Sequence, residues 1–198
     1  MNYRALIHYQ PNTFYMKKLI DWFIHPPVTG PSTFLLLRLM AGGVFFFEGI
    51  LKFVYVNQGV GRFTKLGFPM PETMAHFVAV TEIVGGLFLI LGLFTRFVTL
   101  YFILEMIVAI LATKISLFLG TSPLPLPPAP PKIGFWAVEH EIRSDYAQLL
   151  ICVFLLLEGA GRLSLDFLLR AGKKITIVGH KAKPPGFKKQ AADSLGGF

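Results

Sequence analysis

The sequence has few thiols and few charges from which to build a reactive centre. Its only cysteine is Cys152, which excludes an internal disulfide, a CxxC thiol pair, a thiolate zinc cluster and a CxxCH haem attachment. Charged residues make up only 15% of the 198 residues. Any redox chemistry must therefore come from a bound molecule or from a partner protein.

Long hydrophobic runs dominate the chain instead. Hydrophobic residues account for 54% of the sequence, and the mean hydropathy is +0.60. That share exceeds the roughly 45–50% of an ordinary soluble domain. Several runs approach the roughly 20 residues that cross about 30 Å of hydrocarbon. The sequence therefore predicts an all-α integral membrane protein.

The net charge of +8 raises the question of a nucleic-acid partner. Many of the cations follow the last apolar run, however, and none belongs to a helix-turn-helix or an aromatic-basic pattern. We therefore expect no nucleic-acid partner and interpret the basic tail as a topology signal.

The apolar segments predict a bundle of four membrane-spanning helices, at about 33–56, 72–91, 96–119 and 144–165. The bundle occupies 32–169, between an N-terminal segment over 1–31 and a basic tail over 170–198. Within the N-terminal segment, Leu19, Trp22 and Phe23 recur at helical spacing, which predicts a short amphipathic helix. That helix either lies in the membrane interface or packs on the bundle as an ordinary surface helix.

The hairpin at 81–97 is the centre of this predicted bundle. It joins the second and third spans by a very short turn, so the two helices should be antiparallel neighbours. Glu82 lies in an apolar run and should face other helices rather than lipid. Gly85 and Gly86 permit close packing beside it. Arg96, just past the turn, should snorkel to a headgroup layer.

Other ionisable residues also fall inside the predicted spans. Glu48 and Lys52 are spaced i, i+4 and should pair along their helix. Glu82 and Glu105 should lie at nearly the same depth, so one of them should be protonated or paired with Arg38. We expect an outer layer of Glu48, Lys52, His76 and Lys114, and an inner layer of Arg96, Glu158 and Arg162. Such groups are functional candidates or an ion-pair network that fixes helix register.

The segment between the third and fourth spans is unusual in composition. Residues 121–132 are rich in proline and predict a polyproline II segment, either a stiff spacer or a ligand for a partner domain. The run Glu139, His140, Glu141 follows, but adjacent residues on a helix do not face one another. No metal site is therefore predicted.

The distribution of Lys and Arg predicts the orientation. The tail is rich in Lys, Lys17 and Lys18 precede the first span, and cytoplasmic flanks carry such an excess. Four spans then place both termini in the cytoplasm and the loops at 57–71 and 120–143 outside. We expect a multi-pass protein of the inner (cytoplasmic) membrane.

Four motifs together resemble the DoxX-like membrane proteins. They are RLMAGGVFFFEGILKF in the first span, GFPMPETMA after it, EIVGGLFLILGLFTR in the hairpin, and GAGRLSLDFLL at 159–169. They occur in the order and spacing of that family and cover about 32–169. The N-terminal segment, the proline-rich loop and the basic tail depart from its pattern.

The resemblance implies a small four-helix membrane bundle that is a quinone-linked oxidoreductase or a small subunit of a terminal oxidase or thiosulfate-oxidising complex. The positions that match its motifs are Arg38, Gly49, Lys52, Glu82, Gly85, Gly86, Arg96, Gly159, Gly161, Arg162 and Asp166. Arg162 and Asp166 are spaced i, i+4, and we interpret them as a local ion pair at the end of the last helix.

Two classes of function follow. In the first, the bundle has no covalently bound cofactor but binds a quinone or lipid near Arg38, Lys52, Glu82 and Arg96. The candidates for handling protons are then Glu82, Glu105, Glu48 and His76, with electrons coming from a partner. In the second, the chain is a non-catalytic structural subunit that contacts membrane lipid and other membrane-protein subunits through its N-terminal segment, proline-rich loop and tail.

The predicted orientation can be tested with a reporter enzyme that is active only outside the cytoplasm. Fused after Phe198, the reporter should give no signal, because the basic tail should remain inside. Fused within the proline-rich loop, the same reporter should be active. A strong signal from the fusion after Phe198 would contradict the orientation.

Overall fold

The computed structural model describes residues 11–24 and 30–170, and all regular secondary structure within these ranges is helical. The helices are α1 (Pro11–Ile24), α2 (Phe34–Val54), α3 (Val60–Lys65), α4 (Pro71–Leu91), α5 (Thr95–Leu119) and α6 (Phe135–Glu158). Residues 165–170 are helical again. The prediction of an all-α chain is confirmed, and the basic tail beyond residue 170 lies outside the described residues.

Three of the helices can cross a membrane. α2, α4 and α5 have 21, 21 and 25 residues and are apolar enough to span the hydrocarbon. α6 has a comparable length of 24 residues, but most of its charged residues lie in its first half. Its membrane crossing, and with it the four-span bundle, stays a prediction.

The last long helix differs from the predicted span at 144–165. α6 begins earlier, at Phe135, and ends at Glu158. Gly159 and Gly161 follow with φ of 82° and 76°. These values lie outside the right-handed helical region and are adopted easily only by glycine, so they end the helix. The predicted span at 144–165 therefore continued past the true end of the helix, which the GAG sequence at 159–161 marks.

The closest helix pair is α2 against α4, and small residues bring them together. A methyl group at Gly42 would lie 2.7 Å from the carbonyl oxygen of Gly86, and one at Gly86 would lie 2.7 Å from that of Gly42. Backbone therefore lies directly against backbone. This is the close approach that small residues permit in membranes, where hydrophobic burial gives no drive for association.

The core lies between α2, α4, α5 and α6. Its centre is a stacked pair of rings, Phe45 of α2 and Phe102 of α5, with centroids 3.7 Å apart and an interplanar angle of 6°. Leu89, Cys152 and Leu155 pack around them and are fully buried. α5 packs closely on α6, whereas α4 and α5 share fewer contacts although they are joined by the hairpin turn.

Three chain segments meet at one end of the bundle, which we call the turn end: residue 30, the turn at 92–94 and residues 161–166. The Arg162 N–H donates to the carbonyl of Gly30 at 3.1 Å, and the Asp166 N–H donates to that of Gly92 at 2.9 Å. The Asp166 carboxylate accepts from the N–H groups of Phe94 and Thr95 at 3.0 and 3.2 Å.

This arrangement corrects the expected ion pair between Arg162 and Asp166. The carboxylate instead caps the first turn of α5, where unpaired N–H groups and the helix dipole favour an anion. Arg162 is exposed. Spacing along one helix could not reveal this role, because the capped helix is remote in sequence.

Arg96 also departs from expectation. Instead of snorkelling to headgroups it is buried, with 2% of its surface exposed. Its Nε and Nη2 donate to the carbonyls of Leu156 and Leu157, each at 2.9 Å. These carbonyls lie in the last turn of α6, which lacks helical partners and carries partial negative charge. Arg96 therefore ties the start of α5 to the end of α6.

α1 is attached to the bundle through the same arginine. The Arg96 guanidinium lies 3.6 Å from the ring centroid of Trp22, and Nη1 donates to the Trp22 carbonyl. Phe23 packs against Phe97 with centroids 5.4 Å apart. The contact with the bundle agrees with the surface-helix interpretation, while a position in the membrane interface stays a prediction.

The glycine contact between α2 and α4 gives a matched pair of substitutions. Gly42→Ala should lower the free energy of unfolding by about 1–3 kcal/mol, because the new methyl group meets the Gly86 backbone. Gly43→Ala should be neutral or stabilising by up to about 1 kcal/mol, because no atom lies within 4 Å and alanine favours the helix. Thermal unfolding in detergent measures both, and equal effects would contradict the close contact.

Candidate functional site

A cavity of about 550 Å³ opens inside the bundle, between the middle of the helices and α3. Its walls are largely apolar, with side chains such as Phe45, Val78, Leu104, Met106 and Val108. The polar residues that line it are Glu48, Lys52, Gln58, Arg62, Glu82, Tyr101, Glu105, Thr113, Ser144, Asp145 and Gln148. Polar groups concentrated in one apolar cavity make this the candidate site.

An ion pair between helices lies at the centre of the wall. Lys52 Nζ of α2 lies 2.5 Å from Glu82 Oε2 of α4, and the side chains are only 14% and 4% exposed. The prediction that Glu82 is buried and faces other helices is confirmed. The expected partner of Lys52 was wrong: the ammonium reaches across to Glu82 rather than along its own helix to Glu48, because the glycine contact brings α4 close.

Glu105 of α5 completes a group of three ionisable residues. Its carboxyl is near enough to that of Glu82 to share a hydrogen bond, and it also lies in the field of Lys52. Its Oε2 is buried and has no hydrogen-bond partner within the described residues. Two carboxylates this close disfavour each other's ionisation. Of the two, Glu82 makes the direct ion pair with the Lys52 ammonium.

Gln148 of α6 also lines the cavity. It is 5% exposed, and its Oε1 also lacks a hydrogen-bond partner within the described chain. Two buried oxygens without partners therefore face or border one cavity. A buried polar atom normally finds a partner, so a site of this kind is prepared for a bound group with complementary atoms.

Arg38 does not join these carboxylates as expected. It lies at the turn end, fully buried, where it donates from Nη2 to the carbonyl of Leu163. A methyl group on Gly92 would overlap its Nη1. Arg38 therefore fills the space that the glycine turn leaves, and neither it nor Arg96 lines the cavity.

The remaining predicted site residues are divided between the cavity and the surface. Glu48 lines the cavity mouth and is exposed. His76 is exposed on α4, where it stacks on Phe53 with centroids 5.5 Å apart, and it does not line the cavity. Lys114 lies 3.5 Å from Asp145 Oδ2 and donates to the carbonyl of Glu141 at 3.1 Å.

A second, polar cavity of about 350 Å³ adjoins the first. Its lining includes Arg62, Lys65 and Lys114 together with prolines of the segment at 121–132. Gln58, Arg62 and Thr113 line both cavities. They form a polar wall that the two cavities share.

Sequence reasoning missed several residues of the site. Tyr101 precedes Glu105 by four positions and faces the same cavity, and Gln148 is the one amide in the apolar second half of α6. Both stand out as polar residues in apolar runs, and this pattern could have predicted that they belong to the site. Gln58 lies in the turn before α3 and Arg62 lies in α3. Nothing in the loop sequence indicated that they line the cavity.

Metal chemistry finds no support in the geometry. Within 11–24 and 30–170, no three His, Cys, Asp or Glu side chains are grouped in a way that could hold an ion. Glu139 and His140 are exposed on α6.

Known proteins are similar in sequence to this chain over most of its length. The DoxX family model matches residues 33–115. The "Uncharacterized membrane protein Rv3486" of Mycobacterium tuberculosis is 38% identical over 156 residues, which cover 76% of this chain and 88% of that protein. The "Putative oxidoreductase CatD" of Bacillus subtilis is 32% identical over 141 residues, which cover 71% and 89%. No solved structure matches at a significant level.

The pair between Lys52 and Glu82 predicts strong coupling in a double-mutant cycle. Lys52→Met and Glu82→Leu should each lower the free energy of unfolding by about 3–5 kcal/mol, because each leaves an uncompensated buried charge. The double variant should recover most of the loss. Glu82→Gln should be milder than Glu82→Lys, which places two cations together. Thermal unfolding in detergent measures all five proteins, and additive single effects would show that the charges do not interact.

Proposed function

Because this chain belongs to the DoxX family, we propose that it is a quinone-binding component of an electron-transfer system in the inner membrane, with both termini in the cytoplasm. The two relatives share most of their length with it, and the family model covers the helices that carry Lys52, Glu82 and Glu105. The resemblance found in its motifs is thereby confirmed. The observation that carries the proposal is the apolar cavity in which Lys52, Glu82 and Glu105 lie together.

The residues of the cavity fit a quinone headgroup. Its volume of about 550 Å³ lies within the roughly 300–1,000 Å³ of small-molecule sites. A quinone presents a flat apolar ring and two carbonyl acceptors. Lys52, protonated Glu105 and the Gln148 amide would hold those oxygens, while Phe45 and Leu104 would contact the ring. Donation to such an oxygen would also give Glu105 Oε2 a partner.

A bound quinone supplies chemistry that no residue here has, namely acceptance of two electrons with two protons. The chain's own contribution is to store and deliver protons. We assign the transferable proton to Glu105, because Glu82 beside it is already paired with Lys52. After Glu105 has given its proton away, Lys52 limits the repulsion between the carboxylates. Gln58, Arg62 and Thr113 then connect the site with the second cavity for reprotonation.

The electrons must come from elsewhere. The chain has a single cysteine, which is fully buried, so it cannot offer a dithiol to an electron donor. We therefore propose a partner protein with its own redox centre. The name of the Bacillus subtilis relative describes an oxidoreductase, which agrees with this class of role without specifying a substrate.

A second candidate function is a structural subunit of a membrane complex. It is favoured by the apolar outer surface of α1, where Tyr15, Met16 and Leu19 are 69%, 60% and 59% exposed. These side chains lie outside the candidate spans. A neighbouring subunit or the membrane interface would cover them.

The two functions are separated by substitutions at Glu105. Glu105→Gln should bind a benzoquinone headgroup within a few-fold of wild type, because it keeps a donor, but quinone reduction by the co-purified complex should fall by about 10²–10⁴-fold for loss of proton transfer. Glu105→Leu should lose binding as well. Titration of absorbance or calorimetric heat measures binding in the detergent-purified full chain.

Glu139→Gln is the matched control, because Glu139 is exposed and lines neither cavity. It should behave as wild type in both measurements. If Glu105→Leu binds the headgroup as wild type does and the complex stays intact, the quinone site is refuted and the structural role is favoured.

A further inference from the structure

A groove runs between α4 and α5 on the outside of the bundle. Its volume is about 480 Å³, and only Thr81 and Tyr101 contribute polar side chains to its lining. Val80, Val84 and Phe97 in its walls are 50%, 45% and 48% exposed. Both helices are long and apolar enough to span the membrane, so this groove faces hydrocarbon rather than water.

Tyr101 belongs to both the groove and the cavity. It lines the groove with Thr81 on the lipid side, and it lines the cavity with Glu82 and Glu105 on the inner side. One side chain thus forms the partition between the lipid phase and the ionisable residues. The partition lies where α4 and α5 share fewer contacts than α2 shares with α4 or α5 shares with α6.

The hydrogen bond that closes this partition can open without leaving Thr81 unsatisfied. Thr81 Oγ1 and the Tyr101 hydroxyl lie 2.6 Å apart. Thr81 Oγ1 also lies 2.9 Å from the carbonyls of Phe77 and Val78 in its own helix. Its proton can therefore stay on the helix while Tyr101 donates to it. Rotation of Tyr101 gives up one hydrogen bond, and a polar headgroup that passes can replace it.

We propose that the groove holds the hydrocarbon tail of the cavity's ligand and that the ligand enters sideways from the membrane past Tyr101. The proposal rests on the proposed function and extends it by assigning a ligand class: a polar, reducible ring that carries a long isoprenoid-type chain. The headgroup lies beside Glu105 and the tail lies along Val80, Val84 and Phe97. A ligand of this kind never needs to leave the hydrocarbon to reach the site.

Two probes test the groove: a benzoquinone with a decyl tail, and the same headgroup with no tail. The quantity to compare is the ratio of their affinities for the detergent-purified full chain. Detergent takes up the tailed probe equally in every sample, so this partitioning cancels when variants are compared. Wild type should bind the tailed probe more tightly.

Val84→Trp fills the groove, and Leu87→Trp is its matched control. Both positions are on α4 with 45% and 44% exposure, but only Val84 lines the groove. Neither change adds volume to the core, so both proteins should melt near the wild-type temperature. Val84→Trp should reduce the affinity ratio by on the order of tenfold, about the effect of exposing two methylene groups. Leu87→Trp should leave the ratio unchanged.

The outcomes separate this proposal from the proposed function. If wild type and Val84→Trp show the same ratio while Glu105→Leu weakens both probes, the quinone site stands and the tail groove is overturned. The groove then holds only ordinary lipid chains. If wild type binds neither probe, the proposed function fails and the groove assignment fails with it.

Tyr101→Phe tests the partition through rates. Loss of the hydrogen bond to Thr81 should raise the association rate of the tailed probe severalfold, because the partition opens more often. Stopped-flow quenching of intrinsic tryptophan fluorescence by the quinone can measure this. An association rate equal to that of wild type would overturn passage past Tyr101.

Discussion

The constraint that governs this bundle is that hydrocarbon does not hydrate a charge, so each buried cation must find its partners within the protein. Arg38, Arg96 and Lys52 are such cations among the described residues, and the fold accommodates them in two ways. Arg38 and Arg96 donate to backbone carbonyls at the turn end, including those left unpaired where α6 stops. Lys52 is paired with the carboxylate of Glu82. The arginines hold helix ends together, and the lysine, paired with its carboxylate, makes part of the cavity wall polar.

The close contact of α2 and α4 determines where the cavity forms. Glycines at 42 and 86 bring these helices together along their backbones, and α5 is drawn towards α6 instead. α4 and α5 are joined by a short turn but share fewer contacts. The cavity on the inside and the groove on the outside both lie at this looser contact, and Phe45, which stacks on Phe102, lines the cavity.

Much of the fold could be predicted from sequence because it depends on local properties. The apolar runs gave the helices, the short turn gave the hairpin, and the isolation of Glu82 among apolar residues gave its burial. The partners of the charged groups were mostly wrong. Pairing at i, i+4 is the only contact that a sequence displays directly, whereas Lys52 and Asp166 reach other helices. Those contacts depend on how far apart the helices lie. The glycines permit a close approach, but their presence in the sequence does not show which helices approach each other.

The position of Cys152 has a practical consequence. This thiol is fully buried against Phe102 and Leu155 in the core, with 0% of its surface exposed. A maleimide or spin label in water or detergent cannot approach it while the bundle is folded. A single cysteine introduced on the surface would thus be modified alone, with the natural core left intact. With a pair of such cysteines, distances between helices could be followed in the native background, and labelling of Cys152 itself would report when the bundle opens.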